Sequence, residues 1–85
     1  MSDVMGLVYS DTSVSSTDGE ISFNRHTRCV HFINLHASTN AVVRVNGGPH
    51  EILIPAGKNY VELEGDYTKF QVITAGVNIA VFALG

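Results

Sequence analysis

The sequence predicts an all-β domain: a small β-sandwich or jelly-roll-like fold of seven to eight short antiparallel strands, with a flexible N-terminal arm. Three observations predict it. From residue 20 onward apolar and polar side chains alternate with the period of two that strands require, and no amphipathic helical repeat of useful length occurs. Apolar runs recur at roughly 8 to 12 residue spacing. Gly, Pro, Asn and Asp separate those runs, as turns demand. The 85 residues amount to one domain, with residues 1–20 as the arm and residues 21–85 as the sandwich.

Residues 10–20 hold one apolar side chain, Val14. Such a segment buries too little surface to offset the entropy of ordering it, so an arm or mobile loop is expected. The preceding Val4-Met5-Gly6-Leu7-Val8-Tyr9 is apolar, a sticky tip on that tether. Val4, Met5, Leu7, Val8 and Tyr9 are therefore the candidate oligomer or partner contacts, reaching a neighbour by strand addition. Folding back as an edge strand is the alternative.

The strands follow in order. Ile21 and Phe23 alternate with Ser22 and Asn24. In Cys29-Val30-His31-Phe32-Ile33-Asn34-Leu35 the near-continuous apolar character predicts a central strand covered on both faces. Val43 and Val45 point one way, Val42 and Arg44 the other. Asn46-Gly47 tolerates the positive φ of a tight hairpin, and Gly48-Pro49 makes the turn firm. Ile52-Leu53-Ile54 ends at Pro55, which has no N–H for a ladder. Val61 and Leu63 form a strand stopped by Glu64-Gly65-Asp66. Phe70–Thr74, a turn at Ala75-Gly76, and Val77–Leu84 complete the set.

Composition narrows the partners. Five Lys plus Arg against eight Asp plus Glu give a net charge of −3 and no basic stripe, which excludes nucleic acid. No segment approaches the roughly 20 apolar residues that cross a bilayer, so no membrane is expected. No basic, apolar leader follows Met1, and an unprocessed chain made in a reducing cytoplasm is expected. Charged residues are 15% of the chain, against roughly 25% in a typical domain, which is easier to explain if part of the surface is covered. The single Cys29 excludes an intramolecular disulfide. A chain this small usually needs a staple, and oligomerisation is the simplest that remains.

Candidate chemistry is sparse. His26, Cys29, His31 and His36 cluster within eleven positions, and zinc needs three or four converging N or S ligands. Alternation puts Cys29 and His31 on one strand face, able to reach one ion together, whereas His26 and His36 would have to curl back. Without CxxC or HExxH spacing the preferred reading is a buried cysteine with histidines at strand rims or interfaces, and no metal or cofactor is assigned. Ile54-Pro55-Ala56-Gly57 resembles the second motif of the cupin family, where a Pro-x-Gly turn precedes a metal-binding His. Here the third residue after Gly57 is Tyr60. Nor is there an upstream His-x-His with a following Glu: Phe32 and Ile33 follow His31, and Glu51 and Ile52 follow His50. A metallocupin lacking those ligands has no Lewis acid, so the segment reads as a strand-ending turn. No oriented nucleophile, Gly-x-Ser-x-Gly elbow or phosphate-cradling loop is present, and no catalytic residue is assigned. Tyr60 and Tyr67 flank the Glu64-Gly65-Asp66 turn as a candidate surface patch; more often such tyrosines cap a core. Glu51, Glu62, Glu64 and Asp66 read as a solvated strand face, since no EF-hand loop exists.

From about residue 30 to the end, Asn34, the hairpin "NAVVRVNGG", "EILIPAG" and the closing "FQVITAGVNIAVFALG" resemble small virion proteins of tailed bacteriophages. In these, compact β-domains serve as capsid decoration (cement) proteins or as tail and fibre components. The resemblance implies a non-enzymatic protein of the virion, made in the host cytoplasm. It also implies a homo-oligomer, often a trimer, whose partners are itself and the major capsid protein or another virion protein. A head decoration protein is the expectation; a tail or fibre component, or a glycan-binding module using Tyr60 and Tyr67, is the alternative. No functional residue is carried over.

Overall fold

The computed structural model describes residues 6–85. In chain order the elements are β1 (Leu7–Val14), a short 3-10 turn (Ser16–Asp18), β2 (Glu20–Ser22), β3 (Cys29–Asn34), β4 (Ala41–Val45), β5 (Glu51–Ile54), β6 (Tyr60–Glu64), β7 (Lys69–Val72) and β8 (Ile79–Leu84). They form two four-stranded sheets, the first in the order β1-β8-β3-β6 and the second in the order β2-β7-β4-β5. Every pairing is antiparallel.

The topology has a simple origin. β1 pairs with β8, β2 with β7, β3 with β6 and β4 with β5, so the chain is one long hairpin whose successive pairs fall alternately in the two sheets. Contacts of β3 with β8 and β4 with β7 then complete each sheet. That is the jelly-roll arrangement. Its hinge is the turn after β4. Asn46 (φ 58°) and Gly47 (φ 63°) both take the left-handed conformation of a type I′ hairpin turn, and Gly48 N–H donates to the Val45 carbonyl at 3.3 Å. Asn46 has a second role, because its Oδ1 accepts the Thr68 N–H at 2.8 Å and so ties the hinge to the entry of β7.

Alternation fills the space between the sheets. Val30 and Phe32 of β3, Val43 and Val45 of β4, Phe70 and Val72 of β7, and Ile79, Val81 and Ala83 of β8 point inward and are buried. Tyr9, Phe23, Phe70 and Phe32 form a run of aromatic contacts with ring centroids 5.4–5.8 Å apart. Such pairs contribute about 0.5–1.5 kcal/mol each beyond their area burial.

One expectation is corrected. Leu7–Val14 is not a free tether but an edge strand on β8, and Gly6 and Gly85 exchange two backbone hydrogen bonds beyond it (2.8 and 2.9 Å). The sandwich therefore starts well before residue 21. Side-chain burial alone does not order this segment, but β8 offers a row of backbone groups that β1 satisfies at about 0.5–1.5 kcal/mol net per bond. Val14 is buried at 1% exposure and Val8 and Tyr9 pack on the core. The polar residues serve local turns: Asp11 Oδ1 accepts the Ser13 N–H (2.9 Å), and Asp18 Oδ2 accepts the Ser15 N–H (2.8 Å). β1 shifts register between Leu7 and Tyr9 and again between Asp11 and Val14. Irregularity of this kind blunts an exposed sheet edge against unwanted pairing.

Candidate functional site

The outer face of the first sheet is where the unabsorbed chemistry gathers. Register places three rows across it. Leu7, Leu84, Cys29 and Glu64 form the first; Ser10, Phe82, His31 and Glu62 the second; Ala80, Ile33 and Tyr60 the third. Each belongs to the side opposite the core because Val30, Phe32, Val81 and Ala83, their chain neighbours, point inward. Leu7 and Tyr60 are 58% and 60% exposed, and Ile33, Phe82 and Leu84 are half-buried. The face is thus apolar along β8 and acidic along β6.

Three ligating groups meet at its centre. Cys29 Sγ lies 3.7 Å from His31 Nε2, two residues along β3. His31 Nε2 is in turn 4.0 Å from an Oε2 of Glu62, its cross-strand partner on β6. The sulfur, the nitrogen and a carboxylate oxygen all lie within 4.8 Å of one another. Cys29 is buried, the His31 side chain 26% exposed and that of Glu62 42% exposed, so the cluster opens to solvent on one side. Burial raises the Cys29 thiol above its ordinary value, and the Glu62 and Glu64 charges add to that. The Tyr60 ring flanks the imidazole at a centroid distance of 6.0 Å.

A second polar cluster is structural. The Thr27 hydroxyl, in a residue only 4% exposed, accepts the Tyr67 N–H at 2.7 Å and faces the carbonyls of Tyr67 (3.0 Å) and Gly65 (3.2 Å). Asp66 Oδ1 accepts the Thr27 N–H at 3.2 Å, and its Oδ2 lies 2.6 Å from His26 Nδ1. A carboxylate only accepts, so Nδ1 carries the proton in this contact. The hydrogen bond from His26, followed by that from Thr27, holds the Asp66 carboxyl below its ordinary value. Phe23, Asn24, Arg25, His26 and Thr68 line an open hollow beside this corner.

Of the four clustered residues His26, Cys29, His31 and His36, only Cys29 and His31 come together. His26 is taken by Asp66, and His36 accepts the N–H groups of Ser38 (3.1 Å) and Thr39 (3.0 Å) through Nδ1, closing its own loop. Glu62, which completes the cluster, is 31 positions from His31 and reads in the sequence as one more solvated acid. Only the β3–β6 register brings it in. The proposed Tyr60 and Tyr67 patch does not form. Tyr60 begins β6 and faces outward, whereas Tyr67 follows its other end and packs on the core against Gly65. Four residue steps of β6 alone separate those ends by roughly 13 Å. Among the candidate contact residues, Leu7 is exposed on the outer face while Val8 and Tyr9 are committed to the core; Val4 and Met5 lie outside the described residues. No helix among the described residues is long and apolar enough to cross a membrane. No family model, curated protein or solved structure matches this chain.

Proposed function

We propose that the protein is a non-enzymatic structural component of a virus particle, a capsid decoration (cement) protein that self-associates, as a trimer, and seats on a protein shell. One observation carries the reading: an apolar band on the outer face of the first sheet runs across β1, β8 and β3 to the start of β6. The second sheet presents the ion pairs Arg44–Glu51 (3.0 Å) and Lys69–Glu20 (3.6 Å) to solvent, beside the smaller exposed apolar pair Leu53 and Ile73. The first presents Leu7, Ile33, Tyr60, Phe82 and Leu84. An apolar face of that kind marks a surface to be covered. A stable interface takes roughly 800 Å² from each partner, about one-sixth of the 4928 Å² surface of this chain. Jelly rolls serve as capsid domains, lectins and cupins alike, so the fold leaves the choice to the site. The cupin ligands are missing from the Pro55-Ala56-Gly57 turn, and the paired tyrosines a lectin reading relies on are separated.

Sedimentation velocity across the micromolar range, together with pelleting alongside virus particles assembled without the chain, tests the proposal. The expected result is an oligomer that binds particles. Leu7→Glu combined with Tyr60→Glu, at the two most exposed apolar positions of the face, dissociates it without altering the circular dichroism. A chain that stays monomeric and leaves the particles unbound refutes the reading. A tail or fibre position would use the same face, and immunogold labelling of intact particles separates head from tail.

A further inference from the structure

We infer that Cys29, His31 and Glu62 form an open transition-metal site, of zinc type, on the outer face of the first sheet. The inference stands independently of the virion reading.

The geometry points this way because no two of the three groups are well bonded to each other. The separation of 4.0 Å from His31 Nε2 to Glu62 is too long for a hydrogen bond. The contact of 3.7 Å to Cys29 Sγ is a weak one. Both converge on the same nitrogen, which has a single proton or a single lone pair to offer and can satisfy only one of them. A cation between the three resolves the conflict.

The distances come within reach of a metal site after a small adjustment of Glu62. With metal–sulfur bonds of about 2.3 Å and metal–nitrogen or –oxygen bonds of about 2.0–2.2 Å, tetrahedral ligand atoms sit roughly 3.4–3.6 Å apart. The observed 3.7 Å exceeds the sulfur–nitrogen edge by about 0.1 Å and the 4.0 Å exceeds the nitrogen–oxygen edge by about 0.6 Å, with the sulfur and the carboxylate within 4.8 Å of each other. The carboxylate has the most to move and is the most exposed of the three, so a rotamer adjustment closes the gap.

Backbone register makes the site reproducible. Cys29 and His31 share a face of β3, and Glu62 is directly opposite His31. Glu64, opposite Cys29, or water is available for the fourth position. Thiolate, imidazole and carboxylate together favour zinc over calcium or magnesium, which take oxygen alone. Binding breaks the Cys29 S–H bond, forms a sulfur–metal bond and releases one proton to solvent.

Cobalt(II), the spectroscopic stand-in for zinc, tests the site in the full chain. Titration is expected to give one ion per chain, a thiolate-to-cobalt charge-transfer band and the intense visible bands of four-coordination, displaced by zinc. Even an outer-shell partner changes metal affinity by roughly 10–100-fold. His31→Gln and Glu62→Gln, on a solvent-facing surface and readily kept folded, are therefore expected to weaken binding by at least that factor. Cys29→Ser abolishes the charge-transfer band. His36→Gln and His50→Gln leave the titration unchanged. The proposal is overturned if cobalt keeps the spectrum of the free aqueous ion, or if affinity in His31→Gln and Glu62→Gln stays within a factor of two of the original while circular dichroism shows both folded.

Discussion

Replacing Asn34 tests how this jelly roll holds its loop end together. Asn34 ends β3 with no exposed surface. Its Nδ2 donates to the carbonyls of Thr39 (2.8 Å) and Ile54 (3.0 Å), and its Oδ1 accepts the His36 N–H (2.9 Å). One side chain thus joins the β3–β4 loop to the end of β5. Asn34→Ala leaves two carbonyls and one N–H without these partners. At about 0.5–1.5 kcal/mol per bond, with the larger penalty of about 1–3 kcal/mol applying to the buried Ile54 carbonyl, a loss of about 3 kcal/mol is expected. For a domain of this size each kcal/mol lowers Tm by about 4–8 °C, so calorimetry should register a fall of about 12–24 °C. Asn34→Asp separates hydrogen bonding from cavity formation, because it keeps the shape and replaces only the donor. A carboxylate facing two carbonyls is repelled, and the folded state favours the protonated form, raising that carboxyl's pKa above its unfolded value. The deficit relative to the parent chain is then small below about pH 4 and grows as pH rises through the raised folded value. An Asn34→Asp protein that melts with the parent at pH 7 would refute the reasoning, since shape alone would then suffice.

Three further outcomes are expected. Thr27→Val keeps the volume but strands the Tyr67 N–H and the Gly65 and Tyr67 carbonyls around the former hydroxyl; denaturant titration should show a loss of about 1–3 kcal/mol with an unchanged m-value. Asp66 has its folded pKa held below the ordinary 3.8, by His26 first and the Thr27 N–H second, so its contribution is present above that value and lost as pH falls through the lowered one. Asp66→Asn should flatten the acid side of the Tm–pH curve, and an unchanged acid side would show the contact to be inert. Phe32 is wholly buried and edge-on to Phe70 at 5.7 Å; Phe32→Ala should cost about 3–5 kcal/mol by chemical denaturation, whereas a loss under about 1 kcal/mol would place it outside the core.

What the sequence made legible was local. The period of two from Ile21 to Leu84, the Asn46-Gly47 hinge and the stop at Pro55 are each dictated by side-chain alternation or by backbone φ, and each is found in place. What escaped depends on pairing between distant strands. β1 is polar from Ser10 to Ser13 and is held by the backbone edge of β8, a partner some seventy residues later that composition does not reveal. The same blindness explains Glu62. Nothing near it in the chain distinguishes it from Glu51 or Glu64, yet register sets it against His31. Tyr60 and Tyr67 fail in the opposite sense, being near in sequence and set apart by the strand between them. Short sequence separation guarantees proximity across a tight turn but not across the length of a strand.

The low charge of the chain acquires a location in this fold. Both outer faces mix charged and apolar side chains: Arg44, Glu51, Lys69 and Glu20 pair across the second sheet beside exposed Leu53 and Ile73, and Glu62 and Glu64 line β6 of the first. The central strands β8 and β3 of the first sheet place Phe82, Leu84, Ala80 and Ile33 on their outward side, where alternation would ordinarily put polar groups. Ala80 is 3% exposed and Cys29 5%, so their taller neighbours already shield much of this surface within a single chain. A pattern of this kind is that of strands covered on both faces, one cover being the second sheet. In the proposed assembly the other cover is a partner, whose presence the oligomer and particle assays decide. Glu62 and Glu64 then limit where that partner sits, since covering them would bury two carboxylates at a cost of several kcal/mol each unless a cation accompanies them. Apolar contact is therefore expected along β1, β8 and β3 and at Tyr60, with the Glu62–Glu64 end of β6 left open to water or closed over a metal.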